Sequence, residues 1–513
     1  MRTRNSFVNF ITAIVTQILN IVILFGLRTV FIKMLSTEYL GMNGLFSNIL
    51  GFLSFAELGF GAAIAFSLYK PLAENDERSI SGIMNFFRKV YLTVGAFVLT
   101  AGLAIAPFIE FFINDSPDIP YLKLIYSLFV INSAASYLGS YKATLIIADQ
   151  KKYIVENNNF LFKIVTALLQ LVALVAFQDY VLYLVAAIAG TIGNNISITI
   201  IANKKYPFIK QNSSEKIHDK HKAEIKRNVK ATIMHKIGAV VIWGTDNILL
   251  SKFFSLTTVA LYSNYYLVIS HVNNLLGQIQ ASVVASVGNL GVEAADERKL
   301  EVFKTYFLLN FWIFGFSSVC LLVMFNQFIE LWIGKEFFLP LTVVAVLVLN
   351  YFLAGFRSAA ASFTNAFGLF WNTRYVSVIE SAINLALSIV LLLRFGYIGV
   401  FLGTTVSSVA TGLWYEPYVL YKKGFHQSPS KYYVMASKCL IVMLIDVLLC
   451  WYVINSIPFT GGLWFIVKCV IVFALSNLVL LVFYFKSPQF KSLLNVLSGL
   501  VTGIFRKIRK GEG

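Results

Sequence analysis

Apolar residues run through this chain in long blocks, separated by short polar or basic clusters. A helix needs about 20 apolar residues to cross a bilayer. About fourteen blocks reach that length, at roughly 7–34, 40–68, 83–113, 121–147, 153–177, 180–203, 231–255, 258–288, 303–330, 340–369, 374–394, 396–421, 432–454 and 461–485. Backbone polar groups have no water to bond in hydrocarbon, so such blocks form helices. The pattern predicts an all-α polytopic membrane protein with about 14 transmembrane helices. An even number places both termini on one side.

Polar residues inside the blocks recur at helical spacing and form stripes. Helix 5 carries Glu156, Asn159, Lys163, Thr166 and Gln170 on one face. Helix 8 carries Ser263, Ser270, His271, Asn274, Gln278 and Ser282. Helix 10 carries Asn350, Arg357, Ser358, Ser362 and Asn365, and helix 11 carries Ser377, Glu380, Ser381, Asn384 and Ser388. Single polar residues of this kind commonly hold membrane helices together. Whole stripes that recur in both halves of the chain point instead to a hydrated cavity. Glu57, Lys163, Asp246, Arg357 and His271 lie deep in their blocks. Charge in hydrocarbon is costly, so such residues face a bundle interior or a wet path. Arg28 lies closer to the end of helix 1, where snorkelling competes with a cavity role. Several basic groups in one cavity favour an anionic ligand, with arginine as a bidentate phosphate fork and lysine as a point charge. Glu57 and Asp246 are expected to balance the bases or to bind a coupling H+ or Na+. An ion pair is expected between Asp446 and Lys468 of helices 13 and 14.

Composition narrows the classes. The chain is 58% hydrophobic and 13% charged, against about 25% charged for soluble domains. The +17 net charge does not indicate nucleic-acid binding, because the basic residues punctuate apolar spans. Cys320, Cys439, Cys450 and Cys469 lie in apolar blocks without CxxC spacing, so neither disulfides nor a metal site is expected. The first block is too long for a signal-peptide core and reads as an uncleaved helix. Roughly three quarters of the 42 Lys and Arg residues fall in the segments that share a side with the N-terminus. By the positive-inside rule both termini are then cytoplasmic. The loops on the other side are short, so no catalytic domain and no enzyme is expected.

The organisation predicted is an N-terminal six-helix bundle (1–203), a cytoplasmic linker (204–230), a C-terminal six-helix bundle (231–421), helices 13 and 14 (432–485) and an interfacial amphipathic tail (486–513). The linker charges Lys220, Lys222, Lys226, Arg227 and Lys230, with Lys236 beyond them, are expected near the anionic inner leaflet. A faint repeat pairs Lys33–Ser36 with Lys252–Ser255, Asn132 with Asn350, and Lys152-Tyr153 with Arg374-Tyr375. An even helix count per unit gives both units one orientation, with a pseudo-twofold axis along the membrane normal.

Two motifs carry a family resemblance. Leu35-Ser36-Thr37-Glu38-Tyr39-Leu40-Gly41 follows helix 1, and Ala56-Glu57-Leu58-Gly59-Phe60-Gly61 lies in helix 2. The segment resembles the opening of Wzx-type polysaccharide (O-antigen and capsule) flippases of the multidrug/oligosaccharidyl-lipid/polysaccharide exporter superfamily. Ser67–Ile80 and Thr144–Tyr153 are similar to its Gram-positive branch. The resemblance implies two six-helix bundles around a central cavity. It implies alternating access and export of undecaprenyl-pyrophosphate-linked oligosaccharide to the outer leaflet of the bacterial plasma membrane, driven by an ion gradient. It implies cationic cavity residues from the first helices of each half: Arg28 by position in helix 1, with only His271 in helix 8. The expected cavity set is therefore Arg28, Lys163, Arg357, Glu57, Asp246, His271, Asn159, Asn274, Asn350 and Glu380, with the first three on the pyrophosphate. No cofactor is expected. Expected partners are the lipid-linked oligosaccharide, membrane lipids, a polysaccharide polymerase and glycosyltransferases. Teichoic-acid precursor export and multidrug/cation antiport are the alternatives.

Overall fold

The computed structural model describes residues 2–57, 60–114, 119–212, 215–217, 222, 225, 242, 244–293 and 296–495. Among them there is no strand. The helices are α1 (Arg2–Met34), α2 (Thr37–Leu53), α3 (Phe60–Glu74), α4 (Glu77–Ile105), α5 (Leu122–Ala148), α6 (Lys152–Ala176), α7 (Tyr180–Lys205) and the short α8 (Phe208–Gln211). There follow α9 (244–253), α10 (Leu256–Glu293), α11 (Asp296–Trp332), α12 (Leu341–Ala366), the short α13 (Phe370–Thr373), α14 (Val376–Phe395), α15 (Ile398–Ala410), α16 (Gly412–Val419), α17 (Ser430–Asn455) and α18 (Gly462–Tyr484). Among the described residues eleven helices are long and apolar enough to cross a membrane, which makes this a multi-pass membrane protein. Of the three remaining expected spans, 40–68 coincides with α2 and α3 joined by a 3-10 turn at Ser54–Glu57 and 258–288 with α10; of 231–255, residues 231–241 and 243 lie outside the described residues and the rest holds α9. Helix starts follow side-chain capping. Asp76 accepts from Ser79 N (3.1 Å), and Asp179 accepts from Val181 N and Leu182 N, which satisfies otherwise orphaned donors.

Two expected peripheral segments are partly described. Beyond α18, Phe490 stacks on Trp312 (5.5 Å between centroids). Residues 496–513, with the basic cluster Arg506–Lys510, lie outside the described residues. In the linker, Asn85 Nδ2 donates to Asn212 O and Glu215 O, so this stretch packs on α4. Tyr206 donates to Asp149 Oδ2 (2.6 Å), and burial together with that bond holds its phenol above the ordinary range. Lys220, Lys226, Arg227, Lys230 and Lys236 lie outside the described residues.

The chain divides into two compact units, Met1–Ser263 and Asn264–Gly513. In the first, the α9–α10 region packs on α2 through glycine. Leu256 lies among Leu40, Leu45 and Phe46, and a Cβ on Gly41 would collide with the Leu256 backbone. In the second, Phe303, Phe307, Phe356, Phe363, Tyr421 and Tyr432 form an aromatic core.

The repeat read from Asn132 and Asn350 reappears as the same bond in both units. Thr191 of α7 donates to Asn132 Oδ1 of α5 (2.8 Å). Thr405 of α15 donates to Asn350 Oδ1 of α12 (2.6 Å). A second pair matches as well. Gly190 faces Thr166, and Gly403 faces Ser388; a Cβ on either glycine would run into the hydroxyl opposite. Gly403→Val should therefore destabilise the protein by about 1–3 kcal/mol, read as a lower thermal midpoint in detergent. Gly51→Ala, where nothing lies within 4 Å, should leave the midpoint unchanged or raise it. Equal midpoints for both variants would contradict this packing.

Candidate functional site

The densest charge cluster in the second unit is built on a broken helix. Between α15 and α16 the backbone leaves helical geometry at Thr411 (φ −124°, ψ −91°). Pro417 follows inside α16, and a π-helical turn spans Leu420–Gly424. A proline removes one helical hydrogen bond and crowds the preceding turn. Arg357 of α12 reaches this break. A Cβ on Gly412 would collide with its guanidinium, so glycine is what admits the side chain. Arg357 Nη1 donates to both oxygens of Glu380 on α14 (2.8 and 2.7 Å). Its Nε and Nη2 donate to Glu416 on α16 (2.9 and 2.8 Å). The three side chains are 16%, 6% and 10% exposed. One cation thus joins three helices through paired, charge-assisted bonds.

Arg357 was expected to contact a cargo phosphate; in this structure four hydrogen bonds tie it to two carboxylates, one of them the expected site residue Glu380. Its partners are not Glu57 or Asp246. Glu416 was missed in the sequence because it stands beside Pro417 near the end of its span, where an acid reads as interfacial. The adjoining Glu-Pro pair was the available signal.

The first unit holds neutral groups at the matching places. Gly139 follows Asn132 as Arg357 follows Asn350, and Asn158 precedes Thr166 as Glu380 precedes Ser388. Asn158 Nδ2 donates to Asn194 Oδ1 (2.6 Å), and Ser197 donates to Asn158 Oδ1 (2.6 Å). Asn195 Nδ2 donates to Ala135 O (2.8 Å), with its Cβ close to where one on Gly139 would lie. Asn194 also donates to Asn159 (3.0 Å).

The other expected site residues are scattered among these elements. Lys163 is half-buried near the middle of α6. It makes no hydrogen bond or ion pair to any described residue. Leu161, Val165, Leu168 and Val172 form an exposed apolar stripe on α6. Asn159, Lys163, Thr166 and Gln170 lie on the opposite face. Arg28 of α1 lies beside Tyr180 and Tyr183 of α7. Glu57, at the turn between α2 and α3, accepts from Tyr91 Oη (2.6 Å). Asp246 is 4% exposed, and its Oδ1 has no hydrogen-bond partner among the described residues. On α10, His271 is half-buried and Asn274 exposed. Stripe residue Ser358 joins Gln280 and Asn310 in one network, in which Gln280 Nε2 and Asn310 Nδ2 donate to its hydroxyl (2.7 and 2.8 Å). Gln280 and Asn310 were not singled out from sequence.

The expected Asp446–Lys468 pair does not form. Asp446 accepts from Ser476 (2.6 Å) and from Cys450. Ser476 lies two turns along α18 from Lys468, so depth counted along the sequence misaligned the two helices. Among the described residues no cluster of His, Cys, Asp or Glu could hold a metal ion.

Removing one partner of a buried ion cluster costs about 3–5 kcal/mol, because an uncompensated charge is left behind. Arg357→Ala should lose that much, measured by thermal unfolding. Arg357→Met combined with Glu380→Gln and Glu416→Gln should recover most of it. An Arg357→Ala protein as stable as the parent would show that the cluster carries no such energy.

No family model matches the sequence, and no curated protein matches it. Solved structures do. A lipid II flippase, MurJ, in an inward closed conformation superposes with TM-score 0.65 at 15% identity, covering 93% of this chain and 99% of the other. An inward-facing multidrug resistance MATE family transporter of the MOP superfamily gives 0.59 at 14% identity, covering 76% and 93%. A Vibrio cholerae MATE transporter gives 0.56 at 12% identity, covering 83% and 99%. At these identities the likeness is one of fold: this chain has the fold of the flippase over 93% of its length and that of the two MATE transporters over 76% and 83%.

Proposed function

We propose that this protein moves a lipid-linked, phosphate-bearing oligosaccharide from the inner to the outer leaflet of a bacterial plasma membrane by alternating access. One observation carries the reading: Lys163, an ammonium in mid-span with no described partner, on the face of α6 opposite its lipid-facing stripe. An unpaired charge at that depth is costly. A mobile anion that visits the site supplies the missing counter-charge. Arg28, beside Tyr180 and Tyr183, is the second cation on the path. The bare cost of burying an ion is of order tens of kcal/mol. A polar route therefore serves the phosphate while the acyl chain stays in lipid. Asn159 and its neighbours present carboxamides to sugar hydroxyls. Glu57 and Asp246 are the candidates for a coupling H+ or Na+. The basic bias of one set of loops supports cytoplasmic termini. The motif resemblance favours repeat units for capsule or exopolysaccharide over teichoic-acid precursors, with a polymerase and glycosyltransferases as partners.

Asp246 favours a second reading. A buried carboxylate with an unsatisfied oxygen suits export of an organic cation. Reconstitution in liposomes separates the two. Hydrogen bonds to charged groups contribute about 1.5–3 kcal/mol. Lys163→Ala should therefore slow transfer of a labelled undecaprenyl-linked oligosaccharide by about ten- to a hundredfold, and Lys163→Arg should retain most of it. Full transfer by Lys163→Ala overturns the proposed role of Lys163. Efflux of an organic cation that depends on Asp246, without movement of the glycan lipid, overturns the flippase reading in favour of the antiporter.

A further inference from the structure

The two units differ at one matched place, and the difference accompanies a change in backbone. In the first unit Gly139 and Asn158 stand where Arg357 and Glu380 do, Lys142 of α5 donates to Asn203 of α7 one turn along (2.7 Å), and α7 runs unbroken from Tyr180 to Lys205. In the second unit that place is the ion cluster, and the helix matching α7 is interrupted at Thr411. Gly139 of α5 faces Asn195 of α7, whereas Arg357 of α12 faces Gly412 of α16.

The two halves of the interrupted helix are held differently. α15 is tied by uncharged bonds. Asn350 Nδ2 donates to Phe401 O (2.9 Å), Asn384 Nδ2 to Thr404 (2.9 Å), and Ser388 to Val400 O (3.0 Å). α16 is tied at Glu416 by the guanidinium and at Trp414, whose carbonyl accepts from Tyr433 Oη (2.8 Å). Beyond Glu416, Pro417 and the π-helical turn loosen the regular ladder. Identifiable defects of this kind are where helices bend.

We propose that Thr411–Gly412 is a hinge and that Arg357, bridging Glu380 to Glu416, is its latch. Arg357 is then a positioning residue acting on α16, and not a contact for cargo. With the latch closed, α16 is locked to α12 and α14. With it open, α16 pivots between Thr411–Gly412 and the π-helical turn, whose Leu420 and Tyr421 stay in the aromatic core, while α15 stays fixed by Asn350, Asn384 and Ser388. The matching helix of the first unit, α7, has no such joint. This proposal stands apart from the cargo: it would hold for either substrate class.

Hydrogen exchange on the purified full chain in lipid nanodiscs tests it, because local opening is read segment by segment. Glu416→Gln keeps the side-chain shape and the Arg357–Glu380 pair. It should speed exchange over 412–424 by about tenfold or more, with 398–410 and 180–205 unchanged. Gly412→Ala, which displaces the guanidinium, should give the same local pattern. Unchanged exchange over 412–424 overturns the hinge. A rise shared equally by α12, α14 and α15 also overturns it, because the cluster is then only a brace for the unit. Should Gly412→Ala fail to fold, Glu416→Gln alone decides between these outcomes.

Discussion

A polar group in hydrocarbon must find its partner inside the protein. That constraint shapes this molecule at each level. It makes every described span a helix, since only a helix closes its own backbone bonds in lipid. It then requires the side chains that remain polar to bond across helix contacts. Asn132 with Thr191 and Asn350 with Thr405 are the plain cases. Where a group is too long or too charged for a one-to-one bond, glycine on the facing helix supplies space, as at Gly412.

The matched bonds show how a duplicated architecture can be specialised. Both units keep the Asn–Thr bond and the glycine–hydroxyl contact, so the α5–α7 and α12–α15 crossings share a geometry. A little further along, the first unit keeps carboxamides and the second has a cation between two carboxylates. Carboxamides satisfy one another without net charge and tolerate an unbroken helix. The ion cluster carries one formal positive and two negative charges in a buried place. Its stability rests on geometry that deletion of any member destroys. The second unit thereby gains a point where one bond set controls a helix.

In the proposed function, chemistry for an anionic cargo gathers on the first unit. Lys163 and Arg28 both belong to the first unit, on or beside helices whose opposite faces meet lipid. In that reading an anion drawn to Lys163 meets the α6 polar face. In this scheme the two units divide labour. The first offers charge and carboxamides to a head group, and the second holds a conformational joint.

Much of this was legible along the chain. Block length determined the helical class and the approximate spans, because hydrocarbon permits one backbone solution. The Asn132–Asn350 spacing exposed the repeat, because equal intervals in two helical bundles return equivalent faces. The depth of Lys163 was readable for the same reason. What no one-dimensional reading supplied was partnership. Whether Arg357 met a ligand, Glu57, or Glu380 with Glu416 depended on which helices touch and at what height. A misjudged height of two turns also separated Lys468 from Asp446. Hydropathy reports how far a residue lies along its own helix. Only tertiary structure decides what stands across from it, because that depends on crossing angles and on the small residues that let two backbones approach.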